Sequence, residues 1–243
     1  MERVSILRRI VPEMVEMVER RYTILRNIYF AQPVGRRALA ARLGLPERMV
    51  RKEIDILKEQ GLVVADAAGM KTTSAAEEVL SELKEYVREL RGLASLERRL
   101  VERLGLSKVI VVPGNSDTDE TVKKEMAKAT AKYLTSVLKD GNILAVTGGT
   151  TLAEVARSFP PIQQRFNITV VPARGGLGEE VEMQANTVAA SIAHHLGANY
   201  RLLHVPEGVS KEVMDSLASE PKIGELLELV KQADVVLHGI GTA

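Results

Sequence analysis

The chain has 243 residues, of which 45% are hydrophobic and 27% are charged, and it contains no cysteine. This length suits one large domain or two ordinary ones, and the hydrophobic content is sufficient for a buried core. The lack of cysteine excludes disulfides, thiolate metal sites and cysteine nucleophiles and fits a reducing compartment, so we expect a cytoplasmic location. No apolar stretch approaches the roughly 20 residues of a membrane helix, and we expect no membrane partner.

The net charge of +1 hides an uneven distribution. Residues 1–73 contain 14 Lys and Arg against 9 Asp and Glu, a net charge of +5, whereas the remaining residues carry 19 against 23, a net charge of −4. A basic N-terminal part favours binding of a polyanion.

The first 45 residues are predicted to form helices. Residues 5–31 carry apolar side chains at roughly helical spacing, beginning with Ile6, and Pro12 breaks the pattern into one long helix or two consecutive ones. A turn follows, and then a helix of about two turns that stops at Gly44.

The next segment completes a winged helix-turn-helix pattern. A longer helix has Pro46 at its first helical position and Gly61 as its stop, and the residues after it alternate around a bend at Gly69, which suits a small β-hairpin. A short helix, a glycine turn, a longer helix and a hairpin in this order are typical of winged DNA-binding domains. We therefore predict a DNA-binding domain over residues 1–73.

One face of the longer helix is basic. Arg48, Arg51 and Lys52 share it with Asp55, because these positions are three, four and seven residues apart. Arginine can fork onto guanine edges in the major groove, and lysine can bind phosphate; the alternative is a solvated charged face. Two further arginines open the preceding helix and one lysine lies on the hairpin, so the predicted DNA contacts are Arg36, Arg37, Arg48, Arg51, Lys52 and Lys71.

A single winged helix rarely binds DNA tightly by itself, so we expect a homo-oligomer, a dimer or a tetramer, that reads repeated half-sites of an operator duplex. Residues 74–106 show helical periodicity with mixed charges, interrupted at Gly92, and are predicted to form a helical linker or oligomerisation segment.

Residues 107–243 alternate short β-branched runs with amphipathic helices, which predicts an α/β domain with a doubly wound, mostly parallel sheet. The predicted strands cover 108–114, 142–149, 167–173, 199–206 and 233–241, and the predicted helices cover 119–139, 150–158, 182–196 and 210–232. Because the last predicted strand ends near Ala243, where another helix should follow, we expect this domain to be truncated at the C-terminus.

The segment TGGTTLAEVA, residues 147–156, places two glycines and two threonines between a strand and a helix. Glycines allow close approach of backbone amides to an anion, and the helix N-terminus and threonine hydroxyls add donors, so Gly148, Gly149, Thr150 and Thr151 could bind a phosphate. The alternative is a simple turn with threonine capping. The segment matches neither nucleotide-binding glycine motif, and by itself it leaves phosphate chemistry and phosphate sensing equally open.

The next loop carries Arg174 with three nearby glycines, Gly175, Gly176 and Gly178, and the predicted helix behind it carries Gln184. Because consecutive loops of a parallel sheet converge, the two loops describe a site for a phosphorylated polyol. The histidines lack metal-ligand spacing, and His204 and His238 are interpreted as structural residues; we predict neither a metal nor a cofactor.

The segments TGGTTLAEVA, PARGGLGEEVEMQANTVAASIA and YRLLHVP, behind LAARLGLPERMVRKEIDILKEQGLV, resemble the SorC family of sugar-responsive transcription factors, specifically its branch acting on glycolytic genes. The resemblance covers essentially the whole chain. It implies a repressor of a glycolytic operon that fructose-1,6-bisphosphate releases, with an effector domain similar to sugar-phosphate isomerases and deaminases. The implied effector-binding residues are Gly148, Gly149, Thr150, Thr151, Arg174, Gly175 and Gln184.

Two other hypotheses remain. One is an active sugar-phosphate isomerase or deaminase with a fused DNA-binding head; however, related deaminases place Asp-Gly-His after a Gly-Ile-Gly like that at 239–241, where this chain has Thr242 and Ala243. We therefore predict no catalytic residue. The other is a DNA-binding protein whose second half only oligomerises.

Overall fold

The computed structural model describes residues 9–117, 119–159, 165–175, 180–205 and 210–241. These residues fall into two compact units, Met1–Thr121 and Val122–Ala243. We call them the N-terminal and C-terminal units.

The N-terminal unit consists of helices and one hairpin. Its elements are α1 (Pro12–Ala31), α2 (Arg36–Leu43), α3 (Glu47–Glu59), β1 (Val63–Asp66), β2 (Gly69–Thr72), α4 (Ser74–Leu90) and α5 (Leu93–Leu104). The predicted order is confirmed: an N-terminal helix, a short helix, a helix longer than the short one, and a wing. Ile6 lies outside the described residues.

The helix-turn-helix between α2 and α3 is built as the glycine and proline signals indicate. Gly44 adopts a left-handed conformation with φ of 62°, and its N–H closes the last turn of α2 on Ala40 and Ala41. Pro46 differs from the prediction by one position, because its ψ of 133° makes it the N-cap of α3 instead of the first helical residue. A proline there suits the helix start, where its missing N–H would find no intrahelical partner.

The main core of the N-terminal unit combines α1, α2, α3 and the wing. Ile24 and Ile28 of α1, Leu39 of α2, and Val50 and Ile54 of α3 are fully buried in one cluster. Each such side chain contributes about 1.5–3 kcal/mol by leaving water.

The wing contains a third strand contact that the sequence did not indicate. Val34, in the loop between α1 and α2, forms antiparallel hydrogen bonds with Met70 of β2 at 2.9 and 3.1 Å. The bend was predicted at Gly69, but it lies just before this residue, because Gly69 is the first residue of β2. Asp66 Oδ1 accepts hydrogen bonds from the N–H groups of Ala68 and Gly69 in this bend. Gly69 has φ of 136°, and a Cβ there would lie 3.0 Å from the Val34 nitrogen.

The predicted strand over 108–114 is wrong: these residues form no strand, and the backbone of Val111 at the centre of the segment bonds to an ion pair. Arg88 of α4 and Glu97 of α5 form this pair, with Arg88 Nη2 2.7 and 2.8 Å from the two carboxylate oxygens of Glu97. The Val111 N–H donates to Glu97 Oε1 at 2.7 Å, and the Val111 carbonyl accepts from Arg88 Nη1 at 3.0 Å. Gly92, with φ of 66°, makes the predicted break between α4 and α5.

The C-terminal unit is an α/β fold around a parallel sheet. Its elements are α6 (Glu120–Val137), which begins at the end of the first unit, β3 (Ile143–Val146), α7 (Thr150–Arg157), β4 (Thr169–Pro172), a 3₁₀ turn (Val181–Met183), α8 (Ala185–Leu196), β5 (Asn199–Tyr200), α9 (Lys211–Ala218), α10 (Pro221–Lys231) and β6 (Val235–Leu237). The four strands are ordered β5-β4-β3-β6, and all neighbours are parallel.

Helices cover both faces of this sheet, as a doubly wound fold requires. Leu144 and Val146 of β3 point to the side of α6, α7 and α8, whereas Ala145 points to the side that Leu226 of α10 covers. The alternation follows from the two-residue period of a strand. Because both faces are buried, the strands are apolar throughout.

The second half departs from the prediction in several places: every strand is shorter than predicted, and the one expected over 233–241 covers only Val235–Leu237. The helix expected from residue 182 begins at Ala185, since Gln184 has ψ of 143° and is its N-cap. The strand expected over 199–206 is only two residues long, because Asn186 of α8 pairs with the backbone of Leu203 beyond it through two hydrogen bonds of 2.9 Å.

None of the helices in the described residues combines the length and the apolar character that a membrane span requires.

Replacing Gly69 with alanine is expected to weaken the wing. The new Cβ would strain the backbone, a cost of about 1–3 kcal/mol, and would press on Val34. Denaturant unfolding of the N-terminal unit measures the effect. Gly35→Ala is the matched control, because Gly35 has φ of −79° and a Cβ added there would meet nothing within 4 Å; equal losses in both variants would contradict the explanation.

Replacing Glu97 with glutamine is expected to lower stability in a pH-dependent way. Burial of the carboxylate opposes its ionisation, but the hydrogen bond from the Val111 N–H, with the bonds and charge of Arg88, outweighs burial and holds the pKa of Glu97 below its ordinary value of 4.5. A depressed pKa in the folded state stabilises the protein above the unfolded value, and this stabilisation is lost as the pH falls through the folded value.

We therefore expect Glu97→Gln to cost about 1–3 kcal/mol at pH 7, and the difference from the unmodified chain to shrink as the pH falls below 4.5. Denaturant unfolding at a series of pH values measures it. Glu85→Gln is the control, because Glu85 contacts the same arginine at 3.6 Å but is 81% exposed. A loss that does not change with pH would rule out the charged pair as the cause.

Candidate nucleic-acid interface and phosphate cleft

The basic residues predicted on α3 share one exposed face. Arg48, Arg51 and Lys52 are all exposed, whereas Val50 and Ile54 on the opposite side of the helix are fully buried. None of the three basic side chains forms a hydrogen bond or an ion pair with another described residue. We call these three residues the recognition face.

The other predicted DNA contacts are arranged differently. Arg36 and Arg37 are exposed at the start of α2, and Arg37 lies 3.8 Å from Glu47. On the wing, Lys71 donates to Asp66 Oδ2 at 2.9 Å. That hydrogen bond, with those from the wing backbone, lowers the pKa of Asp66. The positive charge of Lys71 is thus partly balanced, unlike the charges of the recognition face.

Glu53 is a residue of this interface that the sequence pattern did not reveal. It lies on the buried side of α3 with 6% of its surface exposed. Arg21 of α1 donates to it at 2.7 Å, and Arg20 lies 3.3 Å away. A carboxylate between the apolar positions Val50 and Ile54 was the available signal, since buried charges need partners. This cluster ties the helix that carries the recognition face to α1.

A cleft of about 580 Å³ lies at the carboxyl ends of the parallel strands in the C-terminal unit. Five predicted effector-binding residues line it: Gly148, Gly149, Thr150, Thr151 and Arg174. The other lining residues are Thr147, Leu152, Val236, His238, Gly239, Ile240 and Gly241.

The glycines before α7 have two separate structural roles. Gly149 is the N-cap of α7 with φ of 117°, and its N–H donates to the Met183 carbonyl at 2.8 Å. A Cβ on Gly148 would collide with that same carbonyl. The two glycines therefore let the 3₁₀ turn pack against residues 147–150, which we call the phosphate loop after its predicted ligand. No threonine side chain caps the helix.

The remaining donors at this turn belong to α7 itself. The amides of Thr150, Thr151 and Leu152 lie in the first turn, where they have no intrahelical acceptor. The positive end of the helix dipole adds to them, so an anion can bind there. The helix N-terminal amides predicted as donors thus remain, whereas the N–H of Gly149 is taken by the Met183 carbonyl.

The second loop contributes one cation to the cleft. Arg174 is exposed and lines it, two residues after the end of β4. Gly175 and Gln184 are not among the lining residues, and Gly176 and Gly178 lie outside the described residues.

His238 is a cleft residue that the sequence pattern did not reveal either. It directly follows β6, which pairs with β3 so that Leu237 lies opposite Val146 and accepts a hydrogen bond from the Thr147 N–H at 3.0 Å. The side chain is exposed and lines the cleft instead of being buried in the sheet. Knowing the strand order would have indicated it, because β6 is the neighbour of β3.

The described part of the chain contains no group of three or more His, Asp or Glu side chains placed to hold a metal ion. Of the residues that line the cleft, Arg174 and His238 have ionisable side chains, and no carboxylate is among them. The cleft is therefore equipped to bind an anion.

Comparison with known families divides the chain in two. Residues 17–87 match the family described as "CggR N-terminal DNA binding domain", and residues 88–243 match "Putative sugar-binding domain". The recognition face lies in the first match and the cleft in the second.

Individual relatives cover nearly the whole chain. It is 44% identical over 241 residues to the central glycolytic genes regulator of Priestia megaterium, a match that covers 99% of this chain and 70% of that protein. It is 41% identical over 236 residues to the central glycolytic genes regulator of Bacillus subtilis, a match that covers 97% of this chain and 69% of that protein. The solved structure of "the putative SorC family transcriptional regulator from Enterococcus faecalis" is 40% identical, with a TM-score of 0.55 and coverage of 61% of both chains. The chain therefore belongs to the family of central glycolytic genes regulators, within the SorC family of transcriptional regulators.

Proposed function

We propose that this protein represses glycolytic genes by binding operator DNA through α3, and that a phosphorylated sugar, fructose-1,6-bisphosphate, binds in the cleft and releases the DNA. The observation that carries the effector proposal is the convergence of the α7 N-terminus and Arg174 on one cleft. The sugar-binding family match over the same residues supports it.

The recognition face supports the DNA half of the proposal. Its three cations are not engaged by other described residues, and Glu53 holds the helix from behind through Arg20 and Arg21. The Glu53 side chain is 8% exposed and the arginine side chains are 32% exposed, so this partly buried cluster links α3 to α1. A helix held in this way presents arginine side chains to a DNA groove with little loss of entropy on binding.

The chemistry of the cleft favours sensing over catalysis. Acid–base chemistry on a sugar needs a positioned proton donor or acceptor near the reacting carbon. The lining residues include no carboxylate, and the relatives' names describe regulators. Incubation with hexose phosphates, followed by product analysis, tests this: product formation that the Arg174→Ala variant loses would indicate an enzyme.

Release of DNA requires that the effector favours one state of the protein energetically. We propose that this protein is a homo-oligomer, a dimer or a tetramer, in which effector binding changes how two recognition faces reach repeated half-sites. The test compares the affinity of the protein for operator DNA with and without fructose-1,6-bisphosphate. An unchanged affinity, cooperativity and complex lifetime would overturn the effector proposal.

Replacing Arg51 with alanine is expected to weaken binding to specific DNA about 5- to 150-fold, because a bidentate arginine–guanine contact contributes about 1–3 kcal/mol. Lys52→Ala should weaken binding to all sequences and reduce the slope of log affinity against log salt by about 1. Fluorescence anisotropy measures both, with a duplex that the unmodified chain selects from a randomised pool. Arg157→Ala is the control, since it removes an exposed cation from the other unit. Equal effects of Arg51→Ala and Arg157→Ala would remove Arg51 from the interface.

Replacing Arg174 with alanine is expected to weaken binding of fructose-1,6-bisphosphate about tenfold or more, because hydrogen bonds to charged groups contribute about 1.5–3 kcal/mol. Titration calorimetry measures the affinity. Arg201→Ala is the matched control, because Arg201 is exposed but does not line the cleft. DNA binding without effector should stay unchanged in both variants, and an unaltered effector affinity in Arg174→Ala would place the phosphate elsewhere.

A further inference from the structure

His238 lies beside the phosphate loop by virtue of the sheet. The hydrogen bond from Thr147 to Leu237 fixes the end of β6 against the start of the loop. One residue after His238, a Cβ on Gly239 would lie 3.2 Å from the Leu152 side chain in the first turn of α7. The backbone around His238 is thereby packed against the helix end that we propose binds phosphate.

The hydrogen bonding of the imidazole determines which protonation state can bind an anion. His238 Nδ1 lies 3.2 Å from the Gly239 carbonyl oxygen, which can only accept a hydrogen bond. A hydrogen bond across this contact places a proton on Nδ1. In the neutral ring Nε2 is then an acceptor, and only the doubly protonated ring can donate from Nε2 to a phosphate oxygen.

We propose that His238 is a further effector-binding residue, that it binds the effector phosphate as an imidazolium, and that effector binding therefore takes up a proton. This inference rests on the proposed function of the cleft as a sugar-phosphate site. An imidazolium binds a dianionic phosphate more tightly than it binds an unphosphorylated sugar, because its positive charge strengthens the hydrogen bond to an anion but not the hydrogen bond to a neutral hydroxyl.

The charges around the cleft work in the same direction. Arg174, after β4, is the other ionisable side chain among the lining residues, whereas the lining residues of α7 are Thr150, Thr151 and Leu152. The negative charges of a bound phosphate favour a positively charged imidazole beside them over a neutral one.

Calorimetry of fructose-1,6-bisphosphate binding tests the proposal with His238→Gln. Glutamine keeps an N–H donor of similar reach but cannot take up a proton. Titrations in buffers of different ionisation enthalpy at each pH give the number of protons taken up on binding. Phosphate monoesters themselves titrate near pH 6, and this contribution cancels in the difference between the unmodified chain and the variant.

The unmodified chain should take up more protons than His238→Gln near pH 7. Its affinity advantage over the variant should grow about three- to tenfold between pH 8.5 and pH 6, because charge-assisted hydrogen bonds are roughly twice as strong as neutral ones. His204→Gln is the control, since His204 is exposed and does not line the cleft, and it should behave like the unmodified chain. Matching thermal midpoints of the three proteins establish that each is folded.

The outcomes separate the two proposals. If all three proteins bind with the same proton uptake and a constant affinity ratio, the role of His238 is wrong and the sugar-phosphate site stands. If the unmodified chain does not bind fructose-1,6-bisphosphate at any pH, the sensor function is wrong and the role of His238 falls with it.

Discussion

The parallel pairing of β3 with two neighbours is the constraint on which the cleft depends. Because β3 lies between β4 and β6, three loops leave the sheet at the same edge: the phosphate loop, the loop with Arg174 and the segment with His238. No two of these segments are close in the sequence. Burial of Leu144 and Val146 on one face and Ala145 on the other holds the register, so the apolar core also fixes the positions of the polar groups.

The sequence was most informative where one segment determines its own structure. The helices and the turn at Gly44 follow from apolar spacing and from glycine and proline signals, and the site residues on the first two loops follow from the convergence of parallel loops. The run Val109–Val112 also has a strand-like composition, yet Val111 bonds to Arg88 and Glu97. Partners more than ten residues away decided that segment, and local composition does not report them. His238 was missed for the same reason, because strand order is a tertiary property.

The two glycines of the phosphate loop have a packing role that the motif did not indicate. Glycine was expected there so that the backbone could approach an anion. In the structure, Gly148 and Gly149 also make room for the Met183 carbonyl, which occupies one of the expected donors. The first-turn amides of α7 remain for a ligand. The loop predicted as a phosphate site therefore also packs against the loop that contains Met183. A substitution at Gly148 or Gly149 would disturb this packing as well as the predicted phosphate site.

The contact of Arg88 and Glu97 with Val111 has a consequence for cooperativity. The N–H and the carbonyl of one residue, Val111, are bound by the two members of one ion pair. Opening of helix α4, helix α5 or the irregular segment around Val111 is therefore coupled to the other two, since freeing any one of them breaks its hydrogen bonds to both. The matched DNA-binding and sugar-binding regions meet between residues 87 and 88, next to this contact. A stretch without regular secondary structure is thereby as much a part of the folding unit as the helices that hold it.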